Sequence, residues 1–209
     1  MAIKKKDFIE IDFTGSVKES GQIFDTTIRE KAEKLGSDNP EKIMPLKVCV
    51  GEGMLVKGFD EALEGKEVGK DYSVEILPQK AFGARDPKLV KIIPISIFHE
   101  KEVNPYPGLV LDIDGILARI SSVSGGRVTT DFNLPLAGKT VIYDFKIKRI
   151  IESGEEKLKA LAEFYFGKAD VRIEEKKAEI ILEKKADSKS FAAKAKELTG
   201  FDVELKSKP

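Results

Sequence analysis

The chain of 209 residues carries 36 Lys and Arg against 36 Asp and Glu, so it lacks the basic excess with which a general nucleic-acid binder releases counterions. Its one cysteine, Cys49, excludes an internal disulfide framework and a cysteine metal cluster, and its one histidine, His99, argues against a histidine metal site or a Ser-His-Asp triad. No apolar run is long enough to span a bilayer, and the start MAIKKKDFIE has a basic opening without the apolar core of a signal peptide, so the chain reads as soluble and cytoplasmic, with no nucleic-acid or membrane partner.

Ile9-Glu10-Ile11-Asp12-Phe13 alternates apolar and charged residues, which predicts a half-buried strand. Thr14 to Gly21 reads as a polar, hairpin-like excursion, and Phe24-Asp25-Thr26-Thr27 follows it. Arg29 to Leu35 is charged and reads as helical or irregular, Ser37-Asp38-Asn39-Pro40 as a turn, and Leu46 to Val50 as a short strand. Gly58 to Leu63 predicts a short helix with Asp60 and Glu61 in its first turn, where the helix dipole favours acid. Tyr72 to Ile76 alternates again, and Gly83-Ala84-Arg85-Asp86-Pro87 marks a break.

From Lys88 to Thr130 the chain is apolar and β-branched, with hairpin signals at Asp114-Gly115 and Gly125-Gly126. This predicts a small all-β unit inserted into the first domain, with His99 a plain surface residue on it. Val141 to Lys148 alternates strongly and places Val141, Tyr143, Phe145 and Ile147 on one face of a strand. Glu152-Ser153-Gly154 reads as a linker. The remainder is predicted as helix (Glu155 to Phe166), strand (Val171 to Glu174), strand (Ala178 to Leu182), helix (Ser188 to Leu198) and strand (Phe201 to Leu205), with Ser188 as N-cap and Gly200 just past the second helix. The alternating charges of Glu155, Glu156, Lys157 and Lys159 read as a solvated helix face.

The stretch VGEGMLVKGFDEALEGKEVGK, Val50 to Lys70, raises the question of a phosphate loop. Its third glycine comes too late for a dinucleotide fingerprint, and it lacks the Gly-Lys-Ser/Thr end of a P-loop. Asp112-Ile113-Asp114-Gly115 copies part of a calcium loop but lacks the later ligands, so it reads as a hairpin turn. Gly51, Gly53 and Gly58 instead permit a sharp passage from strand to loop to helix.

Several separated motifs occur in order. Phe13-Thr14-Gly15, Phe24-Asp25-Thr26-Thr27, the run from Val50 to Leu63, and Ala81-Phe82-Gly83 resemble the FKBP peptidyl-prolyl isomerases. Asn133-Leu134-Pro135-Leu136-Ala137-Gly138-Lys139-Thr140, followed by Tyr143, resembles the SlyD-type branch, in which a β-rich chaperone domain interrupts the isomerase where the insert lies here. The resemblance covers Met1 to Ile151, and beyond it the chain looks like a long archaeal-type FKBP with a C-terminal extension. The metal-binding tail of SlyD, rich in His and Cys, is absent, so neither metal nor cofactor is implied.

The implied fold is α+β. An antiparallel FKBP-type β-sheet wraps on a short helix over 1–86 plus 131–152. A small all-β chaperone domain is inserted over 87–130, and a small α+β domain occupies 153–209. The implied activity is isomerisation of Xaa-Pro bonds in unfolded or proline-containing polypeptides, in an apolar pocket of Phe13, Phe24, Leu55, Val56, Phe59, Phe82, Leu136 and Tyr143. Asp25 would sit at its edge and orient the substrate amide, or else serve as a turn-former bonding its own backbone. The Val56 N–H is a further candidate for holding the substrate carbonyl.

The chain departs from the family at several positions. It has Phe13 and Phe82 where many relatives carry Tyr, Phe59 where some carry Trp, and Tyr143 where Phe is usual. The hydroxyl missing at Phe82 puts macrolide binding in doubt, while isomerisation needs mainly an apolar wall. In the insert, a few of Ile93, Ile97, Phe98, Leu109 and Val110 are expected to stay exposed and bind unfolded clients. The C-terminal segment leaves homodimerisation and client binding both open. Rival readings are a non-catalytic holdase chaperone on the same scaffold and an assembly scaffold acting through the C-terminal segment.

Overall fold

The computed structural model describes residues 2–167, 169–182 and 189–207. In chain order the elements are β1 (Phe8–Val17), β2 (Ile23–Thr26), α1 (Arg29–Lys34), β3 (Leu46–Cys49), α2 (Lys57–Leu63), β4 (Asp71–Ile76), β5 (Val90–Pro94), α3 (Ile95–Glu100), β6 (Val110–Ile113), β7 (Ile116–Ser124), β8 (Arg127–Asp131), β9 (Val141–Ile150), α4 (Gly154–Phe166), β10 (Asp170–Glu174), β11 (Lys177–Leu182), α5 (Lys189–Thr199) and β12 (Asp202–Ser207). Ser188, expected as the N-cap of α5, lies outside the described residues. Two compact units emerge: Met1–Ala81 with Thr140–Pro209, and Phe82–Lys139. The insert expected over 87–130 lies inside the second unit, and the segment expected as a separate domain over 153–209 belongs to the first.

In the first unit an antiparallel sheet runs β2-β1-β9-β4, with β3 also paired to β1. The alternation read from Val141 onward holds, because Val141, Tyr143, Phe145 and Ile147 all face the interior of β9. The polar excursion expected from Thr14 is instead strand as far as Val17. Thr14 to Val17 pair with β9, and the buried Thr14 hydroxyl lies 3.1 Å from that of Thr26, so the ladder and its neighbours satisfy these polar groups. Helix α2 lays Phe59 and Leu63 against this sheet.

The C-terminal segment forms a second sheet, with β10 antiparallel and β12 parallel to the central β11. Its helices do not stand clear of the first sheet. Leu158, Leu161 and Ala162 of α4 and Phe191 and Ala195 of α5 share one core with Phe8, Cys49 and Ile151. Glu156, expected on a solvated face, instead pairs with Lys47 at 3.2 Å and with Arg149 at 2.9 Å, and Arg149 also binds Glu10 at 2.7 Å. Glu152-Ser153-Gly154, expected as a linker, starts α4: the Ser153 hydroxyl caps it by accepting from the Glu156 N–H.

The second unit is an antiparallel sheet of order β5-β8-β7-β6 around Phe98, Ile120 and Val128. Both hairpin signals are as read. Asp114 and Gly115, then Gly125 and Gly126, have positive φ in succession, as a type I′ turn requires. The β-branched texture nevertheless hides α3. Pro94 enters it, the Ile95 N–H donates to the Gly126 carbonyl at 2.9 Å, and Phe98 turns inward to fill the small core. Packing of one aromatic here overrides strand propensity. Among the described residues no helix is long and apolar enough to cross a membrane.

Candidate active site

Strands β1, β2 and β9 and helix α2 each deliver one aromatic ring to a shared cluster. Phe59 stacks on Tyr143 with centroids 4.3 Å apart and planes 17° apart. Phe13 meets Phe59 edge-on at 5.6 Å and Tyr143 at 5.7 Å, and Phe24 meets Tyr143 edge-on at 5.8 Å. Phe145, which the alternation put on the same strand face but not in the site, supports Phe59 at 5.2 Å. Each such ring pair adds about 0.5–1.5 kcal/mol beyond the area it buries. Phe13, Phe59 and Tyr143 are 4, 1 and 4% exposed, while Phe24 is half-buried.

The absence of one side chain makes this closeness possible. Gly15 sits between Asp25 and Tyr143 in the ladder. A Cβ there would lie 2.7 Å from the Phe24 ring and 3.0 Å from the Tyr143 ring. Two threonines then fix the backbone of Phe13. Its N–H donates to the Thr27 hydroxyl at 2.8 Å, and its carbonyl accepts from the Thr26 hydroxyl at 3.0 Å. The sequence motif contained both threonines, but nothing in their spacing showed that they grip the neighbouring strand.

Asp25 is a strand residue of β2, exposed at the edge of the cluster. Desolvation by its apolar neighbours pushes its carboxyl above the usual range, against the pull of the Thr26 N–H. Burial raises the Tyr143 phenol well above its ordinary value, and the charge of Asp25 adds to that. Tyr143 therefore keeps its proton at physiological pH and presents a neutral hydroxyl.

The glycine-rich stretch folds as a turn between β3 and α2. Gly51 and Gly53 both have positive φ, at +84° and +70°. Asp60 reaches back from α2 and accepts from both of their N–H groups, at 2.9 and 3.2 Å. Sequence reasoning saw Asp60 only as a dipole-favoured acid, yet its buried carboxylate ties the turn to the helix. Val56 ends the turn, and its carbonyl accepts from the Phe59 and Asp60 N–H groups at 2.9 and 3.0 Å. Leu55 and Val56 are half-buried, and Leu55 lines a hollow of about 350 Å³ with Lys5, Lys57 and Glu64.

The first unit thus gathers Phe13, Phe24, Phe59 and Tyr143, with Asp25 beside them and Val56 one helical turn before Phe59. Phe82 and Leu136 belong to the second unit, where both are half-buried. In the insert, Phe98 is core at 5% exposure because its ring fills the centre of the unit, so it is corrected out of any exposed client surface. Ile93 and Leu109 pack partly against that core, while Ile97 and Val110 are 43 and 57% exposed. Sequence reasoning missed Ile92, Ile116 and Leu117, all more than half exposed.

Residues 1–99 match the FKBP-type peptidyl-prolyl cis-trans isomerase family, and residues 91–136 match the family described as FKBP26, IF domain. The chain is 37% identical over 149 residues to the short-type peptidyl-prolyl cis-trans isomerase of Methanocaldococcus jannaschii, covering 71% of this chain and 94% of that protein. It is 36% identical over 111 residues to the probable FKBP-type 16 kDa peptidyl-prolyl cis-trans isomerase of Pseudomonas fluorescens, covering 49% of this chain and 71% of the relative. With the FKBP-type peptidyl-prolyl cis-trans isomerase SlyD of Aeromonas hydrophila it shares 28% identity over 160 residues, 76% of this chain and 69% of the other. Motifs, sheet, aromatic cluster and relatives converge, and the chain belongs to the FKBP-type peptidyl-prolyl cis-trans isomerases.

Proposed function

We propose that the aromatic cluster of the first unit, with Phe24, Leu55 and Val56 on its open side, is where a prolyl bond of a folding polypeptide is turned. The supporting observation is the packing of four rings from four separate elements onto one another, next to the Asp25 carboxylate. Rotation of an amide loses resonance and meets a barrier of about 18–20 kcal/mol. A planar imide carries more charge on oxygen and nitrogen than a twisted one. A site walled by Phe13, Phe59 and Tyr143 replaces the water around that charge with apolar surface, and so raises the ground state more than the transition state. Only such a difference accelerates the step, with about 1.4 kcal/mol for each tenfold. No nucleophile or proton transfer is required. Asp25 orients the substrate amide, and the Val56 N–H holds its carbonyl. Faster cis–trans exchange of an Xaa-Pro peptide with the full chain is the expected result, and tight binding without faster exchange would replace this reading with a holdase.

The same proposal gives the insert the role of client binding, through its exposed Ile92, Ile97, Val110, Ile116 and Leu117. Deleting Lys88 to Thr130 is expected to leave exchange of a short peptide within about twofold of the full chain. It should slow the catalysed refolding of a proline-limited protein by at least about tenfold, since only a long client gains from a second attachment point. Equal loss of both activities, or loss of neither, would reject that role.

A further inference from the structure

The turn that carries Leu55 and Val56 is held from two directions, and only one of them is the isomerase's own. From inside, Asp60 binds the N–H groups of Gly51 and Gly53. From outside, Lys194 of α5 reaches Glu52 at the tip of the turn, Nζ to Oε2 2.7 Å. The same ammonium lies over the Tyr165 ring of α4, 6.0 Å from its centroid, and that ring packs on Phe191 of α5 at 5.4 Å. Two residues beyond Glu52, Met54 packs into the core that α4, α5 and β11 build with Phe8, Cys49 and Ile151, and its sulfur accepts from the Cys49 N–H at 3.2 Å. Leu55 and Val56 follow directly. A turn with two glycines at positive φ has unusually wide backbone freedom, so ties that fix its tip also fix the side chains just after it.

We propose that the C-terminal segment is the seat of the active-site turn, with Glu52, Met54 and Lys194 as positioning residues that hold Leu55 and Val56 in register with the substrate. This rests on the reading of Leu55 and Val56 as part of the prolyl pocket. The Lys194–Glu52 pair is partly exposed, with side chains 33 and 17% accessible, and such pairs add little to global stability. Its effect belongs in the geometry of the turn. A loop left loose must be ordered by the substrate itself, which weakens binding, and misplacement by about 1 Å can lower a rate by about a hundredfold.

The test uses the full chain with Lys194→Met, with the reversed pair Glu52→Lys plus Lys194→Glu, and with Lys196→Met as control. Lys196→Met removes the pair of Lys196 with Asp202 inside the C-terminal segment. Amide hydrogen exchange over 51–56, kinetics on an Xaa-Pro peptide and the thermal midpoint are measured for each. For Lys194→Met we expect faster exchange at 51–56 and a loss in kcat/KM of roughly tenfold, carried mainly by KM, with the thermal midpoint unchanged. The reversed pair should recover part of both changes, and Lys196→Met should alter neither. Unchanged exchange at 51–56 in Lys194→Met would overturn the proposal, and so would an equal loss in Lys196→Met. If the turn loosens in Lys194→Met while Leu55→Ala leaves isomerisation untouched, the seat stands and the assignment of Leu55 to the pocket falls.

Discussion

Phe59→Ala is expected to lower kcat/KM on an Xaa-Pro peptide by roughly a hundredfold, about 2.7 kcal/mol, while Asp25→Ala lowers it only a few-fold. The difference follows from position. Phe59 stacks on Tyr143 and touches Phe13 and Phe145, so its removal opens the apolar floor to water. Asp25 sits at an exposed edge and in the proposed site adds only orientation. Because Phe59 is 1% exposed, its truncation also destabilises the fold by about 3–5 kcal/mol. Kinetics are therefore read per folded molecule, and Phe59→Leu, which keeps an apolar floor, is measured beside it. Phe59→Leu should retain most of the activity. If Asp25→Ala were the more damaging change, the rate would come from a polar contact and not from a dry wall.

Ending the chain at Glu152 is expected to give an aggregated or unfolded product, not a trimmed isomerase. Removal of α4, α5 and β11 would uncover Phe8, Cys49 and Ile151, each now at most 1% exposed, together with Met54. Fully burying one large apolar side chain contributes about 1.5–3 kcal/mol, so losing this seat subtracts roughly 4–8 kcal/mol. A domain has about 5–15 kcal/mol in total. Circular dichroism and chemical denaturation of the shortened chain read this directly. A monomeric product with an unshifted midpoint would mean that the shared core contributes little.

Much of this was legible in the sequence because it rests on periodicity or punctuation. The alternation from Val141 put Tyr143 and Phe145 on one face, and Asp114-Gly115 and Gly125-Gly126 marked both hairpins. Ser153 reads as part of a linker, although its position carries a helix-start signal. A serine three residues before Glu156 is a helix-start pattern, and its hydroxyl does cap α4. Other features depend on what meets across the fold. Phe98 looks like one more residue of a β-branched run, and only the small core around Ile120 and Val128 makes α3 of it. The two bonds of Asp60 to Gly51 and Gly53 close a loop across a turn, a relation with no fixed spacing. The docking of α5 on Glu52 joins residues far apart in the chain, and neither surface carries a local sign of its partner.

In the proposed site a prolyl imide turns faster against the aromatic cluster than in water. Two-dimensional exchange NMR on an Xaa-Pro peptide, with a catalytic amount of the full chain, tests it most directly. The free peptide interconverts over tens of seconds at 25 °C. Exchange within the mixing time, together with shifts of Phe24, Leu55 and Val56 in the protein, is the expected result. Exchange no faster than in the free peptide would contradict it.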